Sequence, residues 1–323
     1  MEIDDRVYGK EKINESVLID LILSEPMQRL KGVSQYGLPD EYYHKKGFSR
    51  YEHSLGVLVF LRKFGAGLNE QISGLLHDVS HTAFSHVVDW AIGDPEKEDF
   101  QDNNHFNVIF NSEIPDILKK YNISSKHISN PENFSLLERH APSLCADRID
   151  YALRELSIDG ESDLAKKFFF SLNERDGILF FEDTAVAESF GRTYSFLNKI
   201  HWGGVEARTR YFVMADILRN ALSKKIISHD TLYKTDSDVI KILYQSRDKK
   251  IISGLNFLKN KKIAKPSSNG DGVHLRKKYR WVDPEVLFKG EIMSLSNVSG
   301  KYRDFLREEK TFLEENCYSE LLK

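Results

Sequence analysis

Apolar residues recur at helical spacing through much of the chain. The clearest stretch runs from His53 to Trp90, where the polar segment GAGLNEQ separates two apolar runs. Spacings of three and four residues place side chains on one helix face, so this stretch predicts two helices joined around GAGLNEQ. The residues of the first helix that should face the core are Leu55, Leu58, Leu61 and Phe64.

A short β element interrupts the helical pattern. Asp176-Gly177 lies between aromatic and aliphatic residues in FFFSLNERDGILFFED, which is typical of a β-hairpin. Beyond it, the Gly203-Gly204 pair separates one helix from a longer one. The pattern predicts a mainly α-helical fold with a small β-hairpin.

The character of the chain changes beyond Asp230. LRKKYRWVDPEVLF favours a strand that ends at Pro284, KPSSNGDGVH predicts a flexible loop, and KYRDFLREEKTFLEENCYSELL favours a final helix. We therefore expect residues 1–228 to form the helical core and residues 229–323 to form a smaller α+β lobe docked on it.

Composition and charge narrow the class of protein. With 41% hydrophobic and 11% aromatic residues, the chain can build a substantial core. A formal net charge of -3 does not indicate nucleic-acid binding, although the cluster Arg276, Lys277, Lys278 and Arg280 suits either a polyanion or a solvated edge. Apolar runs are too short to span a bilayer and no signal peptide is recognisable, so we expect a cytoplasmic protein without membrane partners. Cys145 and Cys317 are too few and too distant for a disulfide framework.

Metal-ligating residue types are concentrated in the first half of the chain. The candidates between Ser49 and Trp90 are His53, His77, Asp78, His81, His86 and Asp89. Imidazole nitrogens together with a carboxylate suit a divalent transition ion, whereas an all-oxygen set suits calcium or magnesium. If GLLHDVSHTAFSHVV begins as a helix, His77 and His81 lie four apart on one face.

A further ligand is expected from CADRIDYALREL. On a helix, three- and four-residue spacings place on one face the side chains of Asp147, Tyr151, Arg154 and Glu155. One carboxylate of this face can reach the metal while a phenol and further charges line the adjoining cavity. The candidate ligands are His53, His77, Asp78 and Asp147.

The segments RYEHSLGV, HDVSHTAFSH and ADRIDY resemble the HD phosphohydrolase superfamily, and in particular its deoxynucleoside triphosphate triphosphohydrolase branch. The resemblance extends from about Pro26 to about Tyr151. It implies an HD-type helical core, a nucleotide substrate, a homo-oligomer and one divalent ion held by the four candidate ligands. Manganese or iron is favoured, with zinc, nickel, cobalt or magnesium as alternatives.

The resemblance also implies roles for single residues. His81 would contact the reacting phosphate, and the catalytic network would consist of His86, Asp89 and His105. Arg148 would grip phosphate, and Gln35 and Arg50 would line the nucleotide pocket. Tyr151 and Glu155 would pack under the sugar and meet its 3′-hydroxyl, although the family commonly has an aspartate where this chain has Glu155.

Three functions fit these residues. The first is hydrolysis of deoxynucleoside triphosphates to nucleoside and triphosphate. The second is a phosphohydrolase or phosphodiesterase acting on a nucleoside monophosphate or a cyclic or oligomeric nucleotide. The third is a non-catalytic nucleotide-binding regulator, against which the intact catalytic set weighs. Three further arginines suit either phosphate contacts or a solvated helix, namely Arg192, Arg208 and Arg210.

Overall fold

The structure is a computed structural model that describes residues 1–267, 272–315 and 317–322. Residues 268–271, which belong to the predicted flexible loop, lie outside the described residues. No helix in the described ranges combines the length and the apolar character needed to cross a lipid bilayer.

Helices dominate the part of the chain that the structure describes, as predicted. They are α1 (Ser16–Leu23), α2 (Glu25–Arg29), α3 (Arg50–Lys63), α4 (Leu68–Leu76), α5 (Val87–Ile92), α6 (Phe100–Phe110), α7 (Ile114–Lys120), α8 (Ser125–Ile128), α9 (Ala146–Ile158), α10 (Ser162–Ser171), α11 (Thr184–Leu197), α12 (Val205–Ser223), α13 (Asp236–Gln245), α14 (Lys249–Leu258), α15 (Leu295–Val298) and α16 (Gly300–Glu315). A π-helical turn, Asn198–Trp202, links α11 to the glycine pair before α12. The mainly α-helical fold class is confirmed.

The strands are short and lie in three small sheets. They are β1 (Glu2–Asp5), β2 (Gly9–Lys12), β3 (Leu172–Arg175), β4 (Ile178–Phe181), β5 (Ala264–Pro266), β6 (Val273–His274), β7 (Glu285–Phe288), β8 (Glu291–Ser294) and β9 (Tyr318–Leu321). The sheet orders are β1-β2, β3-β4-β7-β8 and β5-β9-β6. The predicted hairpin is β3-β4, whose turn residues Asp176 and Gly177 both have the positive φ that a type I′ turn requires.

Helix α3 is the central element of the core. Ser49 caps its start by accepting a hydrogen bond from the backbone N–H of Glu52, and Arg62 and Lys63 lie in its last turn, where cations are favoured. It packs against both α4 and α9. Gly56 allows the close approach to α9, because a Cβ there would lie 1.8 Å from Nη2 of Arg154. The helices that carry the candidate ligands therefore share one interface.

The segment between His77 and His86 is not helical, which corrects the prediction of one continuous helix there. Phe84 has a φ of 64°, which a right-handed helix excludes. Its backbone N–H donates instead to Oδ1 of Asp236, at 2.8 Å. A tertiary partner thus replaces the helical hydrogen bond, and the predicted second helix is divided into α4 and α5.

The C-terminal region also departs from the sequence-based expectation. The strand expected to end at Pro284 begins after it, as β7, and the final helix ends at Glu315 and is followed by β9. Pro284 has no N–H to donate to a ladder, and upstream the backbone N–H groups of Lys278 and Asp283 donate to the carbonyl oxygens of Pro95 and Pro142 instead. Strand β7 pairs in parallel with β4, with Phe181 opposite Val286. One sheet therefore joins strands from both sides of the predicted boundary at residue 228, and the division into two parts stays a prediction.

Candidate metal centre and active site

The ends of three helices bring the candidate ligands together. His53 lies one turn inside α3, His77 follows the last residue of α4, and Asp147 occupies the first turn of α9. Ligand atoms of these three residues lie within 4.8 Å of one another. Nε2 of His53 is 2.9 Å from Oδ1 of Asp147 and 3.2 Å from Nε2 of His77.

The orientation of the two imidazoles suits a metal ion. Nδ1 of His77 donates to the carbonyl oxygen of Gly74 at 2.7 Å, and Nδ1 of His53 donates to Oδ2 of Asp150 at 2.7 Å. In a neutral imidazole with Nδ1 protonated, Nε2 carries a lone pair, and a proton or a metal ion between the two Nε2 atoms, 3.2 Å apart, offsets their repulsion. A histidine whose far nitrogen is held by a carboxylate or a carbonyl is the usual metal-ligand arrangement. The donor set fits a divalent transition ion.

Asp78 lies beside this group, but among the described residues the ligand atoms that lie within 4.8 Å of one another belong to His53, His77 and Asp147, so Asp78 as a fourth ligand stays a prediction. Its oxygens lie 3.5 Å from Nε2 of His77 and 3.9 Å from Nε2 of His53. Nη1 of Arg50 donates to Oδ2 of Asp78 at 2.9 Å, while Nε of Arg50 donates to Ser85 at 3.0 Å. Arg50 therefore fixes the orientation of the carboxylate and adds positive charge beside the centre.

The electrostatics of the centre favour a bound cation. Burial opposes the charged form of His77, but the carboxylates of Asp78 and Asp147 outweigh it and raise the pKa of His77 to about 9. Burial likewise opposes ionisation of Asp147, yet its hydrogen bonds with His53 and His77 hold its pKa well below the ordinary value. The same negative field that favours protons on the imidazoles favours a divalent ion between them.

His81, His86 and Asp89 form a buried chain beside the centre. Nε2 of His81 lies 3.2 Å from Oδ1 of Asp78, and the rings of His81 and His86 meet edge to face. Nδ1 of His86 lies 3.3 Å from Oδ2 of Asp89. Burial lowers the pKa of His81 to about 4 and raises that of Asp89 to about 7. Near neutral pH Asp89 is therefore the member of this chain that titrates, while the imidazole of His81 is neutral.

His105 presents an unpartnered nitrogen to the cavity. The hydroxyl of Ser80 donates to Oε1 of Gln101, so it accepts the hydrogen of Nδ1 of His105, at 2.9 Å. Nε2 of His105 consequently carries a lone pair, and it is buried without a partner in the described part of the chain. Burial and the charge of His77 lower the pKa of His105 to about 4, so the imidazole is neutral near pH 7.

A cavity of about 680 Å³ adjoins these groups. Its lining includes the predicted residues Gln35, Arg50, His77, Asp78, His81, His86, His105, Asp147, Arg148, Tyr151 and Glu155. Of the predicted set, His53 and Asp89 lie behind the wall, each in contact with a lining residue. Oε1 of Gln35 is buried without a partner among the described residues, so it is an acceptor available to a ligand.

Aromatic residues form the wall on the side of Tyr151. The hydroxyl of Tyr151 is hydrogen-bonded to that of Tyr194, and Trp202 meets both rings at centroid distances of 5.0 Å. Nε1 of Trp202 donates to Glu155, and Nζ of Lys45 donates to the same carboxylate at 2.8 Å. Glu155 is therefore held in one orientation at the edge of the cavity.

Several arginines have structural partners. Nη1 of Arg148 donates to the carbonyl oxygens of Arg139 and Ser143, and its Nη2 donates to Oε1 of Glu138 at 2.9 Å. The sequence suited either phosphate contacts or a solvated helix for three further arginines. None of the three lines this cavity: Arg192, Arg208 and Arg210. Arg210, for example, is fully buried and donates to the carbonyl oxygens of Tyr42 and Leu258.

Some residues of the site were not predicted. Asp150 lies one helical turn after Asp147 in DRIDY, and this spacing was the available sequence signal for its contact with the site. Lys277 and Arg280 belong to a basic cluster that the sequence did not place in a cavity. Ser80, Trp202 and Lys45 are further contributors without a local pattern, because only tertiary packing brings them to the cavity.

Comparisons with known proteins agree with this geometry. Residues 50–151 match the HD domain family. The chain is 38% identical to the uncharacterized protein YdhJ of Bacillus subtilis over 333 residues, which covers 100% of both chains. It is 30% identical to the metal-dependent phosphohydrolase cns2 of Cordyceps militaris, over 90% of this chain and 86% of cns2.

More distant similarities point in the same direction. A deoxynucleoside triphosphate triphosphohydrolase SAMHD1 homolog of Dictyostelium discoideum is 24% identical, over 68% of this chain and 49% of that protein. A phosphohydrolase from Bacteroides thetaiotaomicron has the same fold, with a TM-score of 0.66 at 17% identity and coverage of 93% and 94% of the two chains.

The chain belongs to the HD-domain family. Its relatives and its histidine and aspartate centre identify it as an HD-type metal-dependent phosphohydrolase.

Proposed function

We propose that this phosphohydrolase acts on deoxynucleoside triphosphates and releases nucleoside and inorganic triphosphate. The observation that carries the proposal is that three of the four proposed metal ligands, His105 and an aromatic wall line one cavity of about 680 Å³, with His53 directly behind them. A volume of that size accommodates a small-molecule ligand such as a nucleotide.

The reaction needs an activated water and a proton for the leaving group. His53, His77, Asp78 and Asp147 would hold the divalent ion, which would supply an activated water and polarise a phosphoryl oxygen. Nε2 of His105 accepts a proton from the attacking water. The new oxygen–phosphorus bond forms at the α-phosphorus, the bond to the 5′-oxygen breaks, and that oxygen takes up a proton as nucleoside leaves.

The remaining walls suit the sugar and the base. Tyr151, with its hydroxyl tied to Tyr194, presents a fixed ring beside the metal centre. Glu155, held by Lys45 and Trp202, offers a carboxylate that can accept a hydrogen bond from a sugar hydroxyl. If the triphosphohydrolase proposal holds, Tyr151 should disfavour ribonucleotides by crowding the 2′-hydroxyl of ribose.

One observation favours a second candidate, hydrolysis of a nucleoside monophosphate. Arg148, the residue that the family resemblance assigns to phosphate, is held by Glu138 and by the carbonyl oxygens of Arg139 and Ser143. A substrate with a single phosphate would not need this arginine. Homo-oligomeric assembly and a cytoplasmic location stay predictions under either candidate.

A product assay separates the two candidates. The purified protein is incubated with each deoxynucleoside triphosphate, ribonucleoside triphosphate and nucleoside monophosphate in the presence of manganese, iron, cobalt or magnesium. Phosphorus NMR then distinguishes released triphosphate from orthophosphate. Intact triphosphate from deoxynucleotides supports the first candidate. Orthophosphate from monophosphates alone refutes it and supports the second.

A further inference from the structure

An extended segment without ladder pairing crosses the cavity wall. Residues 275–284, which we call the strap, are bonded to separate parts of the chain. The backbone N–H of Leu275 donates to the carbonyl oxygen of Cys317 at 2.8 Å. The N–H of Lys278 donates to the carbonyl oxygen of Pro95 at 3.1 Å, and the N–H of Asp283 donates to that of Pro142 at 2.9 Å. Pro95 follows α5 and Pro142 precedes α9, so the strap spans the region between the histidine chain and the metal aspartate.

The strap divides the basic cluster into two groups. Arg276 and Lys278 are exposed, whereas the side chains of Lys277 and Arg280 are only 6% and 22% exposed. Lys277 and Arg280 line the cavity, and so does the exposed Lys278, whereas Arg276 does not. Arg276 therefore fits the expectation of a solvated edge, whereas Lys277 and Arg280 fit that of an anion site.

Lys277 and Arg280 share one carboxylate. Glu98 is fully buried, lies 3.6 Å from Nζ of Lys277 and forms a salt bridge with Nη2 of Arg280. Nζ of Lys277 also donates to the carbonyl oxygen of Trp202 at 3.0 Å and lies over the ring of Tyr211. These two largely buried cations share one ion-paired carboxylate, so the pair keeps a net positive charge, although burial lowers the pKa of Lys277 to about 8.

The excess charge is directed toward the reaction site. Among the described residues, Glu98 is the one ion-pair partner of Arg280, so the guanidinium retains donors for a ligand. The charges of Arg280 and Lys277 contribute, after burial, to the lowered pKa of His86. Their field therefore reaches the histidine chain next to the metal centre. An anion bound between the strap and that centre would compensate the charge.

We propose that the strap supplies Lys277 and Arg280 as binding residues for the phosphate groups of the substrate, with Glu98 as the residue that positions them. The inference rests on the proposed function in one respect, namely that the anion belongs to a nucleotide. A guanidinium with free N–H groups and an ammonium at one wall are suited to a phosphate chain extending from the metal.

The test compares three methionine variants in the strap. Lys277→Met and Arg280→Met remove the proposed contacts, and Arg276→Met removes an exposed cation of the same segment as the matched control. Calorimetry of the metal-loaded protein with inorganic tripolyphosphate and with orthophosphate measures the dissociation constant. Kinetics with the substrate found in the product assay measure KM and kcat.

We expect Lys277→Met and Arg280→Met each to weaken anion binding and raise KM by about 10- to 100-fold, the value of a hydrogen bond to a charged group. Arg276→Met should leave both constants unchanged, and Arg280→Lys should recover part of the binding. Thermal unfolding checks that each variant is folded. If Lys277→Met does not fold, the more exposed Arg280 decides the question.

Anion binding and KM that are unchanged in a folded Arg280→Met variant would overturn the strap proposal. Equal losses in all three variants would also overturn it, because they would indicate a general charge effect. The outcome is independent of the triphosphohydrolase proposal. An enzyme specific for monophosphates would refute the triphosphohydrolase proposal. The calorimetric titration with orthophosphate would still show whether Lys277 and Arg280 bind phosphate.

Discussion

The cavity has two halves that are built differently. The side chains of the metal half come from the ends of three helices, α3, α4 and α9. Those of the substrate half come from a helix face, a π-helical turn and the strap. The metal half comprises His53, His77, Asp78 and Asp147. The substrate half comprises Tyr151, Glu155, Trp202, Lys277 and Arg280. The first half lies within residues 53–147, and the second extends from residue 151 to residue 280.

The two halves also differ in how their polar groups are satisfied. In the metal half, the far nitrogen of each imidazole has a partner and the near nitrogens converge on one point. The substrate half instead holds two cations, Lys277 and Arg280, against one carboxylate. A preorganised centre thus faces a wall whose polar groups await a ligand, which suits chemistry at one fixed point and recognition over a larger surface.

The largest effect should follow a change in the metal half. Asp78→Asn keeps the shape of the side chain and an acceptor for Arg50 but removes the negative charge that attracts the ion. We expect metal content and hydrolysis to be lost together. Elemental analysis and the product assay measure both, with exposed Asp163→Asn as the control. A folded Asp78→Asn protein with stoichiometric metal and full turnover would contradict the ligand assignment.

Replacing His105 should lower the rate of hydrolysis without removing the metal. His105 is not one of the proposed ligands; it lines the cavity, and its Nε2 has no hydrogen-bond partner among the described residues. His105→Ala should keep the metal and lower kcat by roughly two to four orders of magnitude, the usual contribution of a positioned proton-transfer group. Steady-state kinetics with His229→Ala as the exposed control check this. If kcat stays the same, His105 is a packing residue.

A smaller effect on metal affinity is expected at Asp150, which contacts His53. Asp150 accepts from Nδ1 of His53 and is itself held by Arg154, so it orients the imidazole without reaching the ion. Asp150→Asn retains an acceptor but loses the charge, and metal affinity should fall by about 10- to 100-fold. Metal titration measures the affinity, and added metal should restore turnover. An unchanged affinity would show that the carboxylate is not needed to orient His53.

The smallest effect concerns packing between α3 and α9. A Cβ at Gly56 would lie 1.8 Å from Arg154 and 2.3 Å from Oδ1 of Asp150. Gly56→Ala should therefore lower the free energy of unfolding by about 1–3 kcal/mol, the usual cost of overpacking a core. Gly300→Ala is the helical control, since its new Cβ would make only an ordinary contact with Arg303. Equal urea midpoints for both variants would refute the close-packing argument.

The same division explains how much the sequence could predict. The spacing of His77 and Asp78 and the helix that carries Asp147 are local features, so they were readable before the structure. The hairpin at Asp176-Gly177 was readable for the same reason, because its turn chemistry is contained in two residues.

Other features depend on distant partners. The break between α4 and α5 exists because Asp236, more than 150 residues away, accepts the N–H of Phe84. The burial of Lys277 depends on Glu98 and on the carbonyl oxygen of Trp202. The contacts of Arg148 with Glu138 and with two carbonyl oxygens are equally invisible to spacing. Periodicity identifies a charged helix face, but tertiary packing decides which of its charged side chains are free to bind a ligand in the cavity.

The most direct measurement of the central claim is the fate of the oxygen atom of water. The metal-loaded protein is incubated with its substrate in ¹⁸O-labelled water, and phosphorus NMR and mass spectrometry locate the label. Attack at phosphorus beside the metal centre predicts that ¹⁸O appears in the released phosphate or triphosphate and that the nucleoside hydroxyl carries none. Label in the nucleoside, or release of product without label, would contradict the account of a metal-dependent phosphohydrolase built on His53, His77, Asp78 and Asp147.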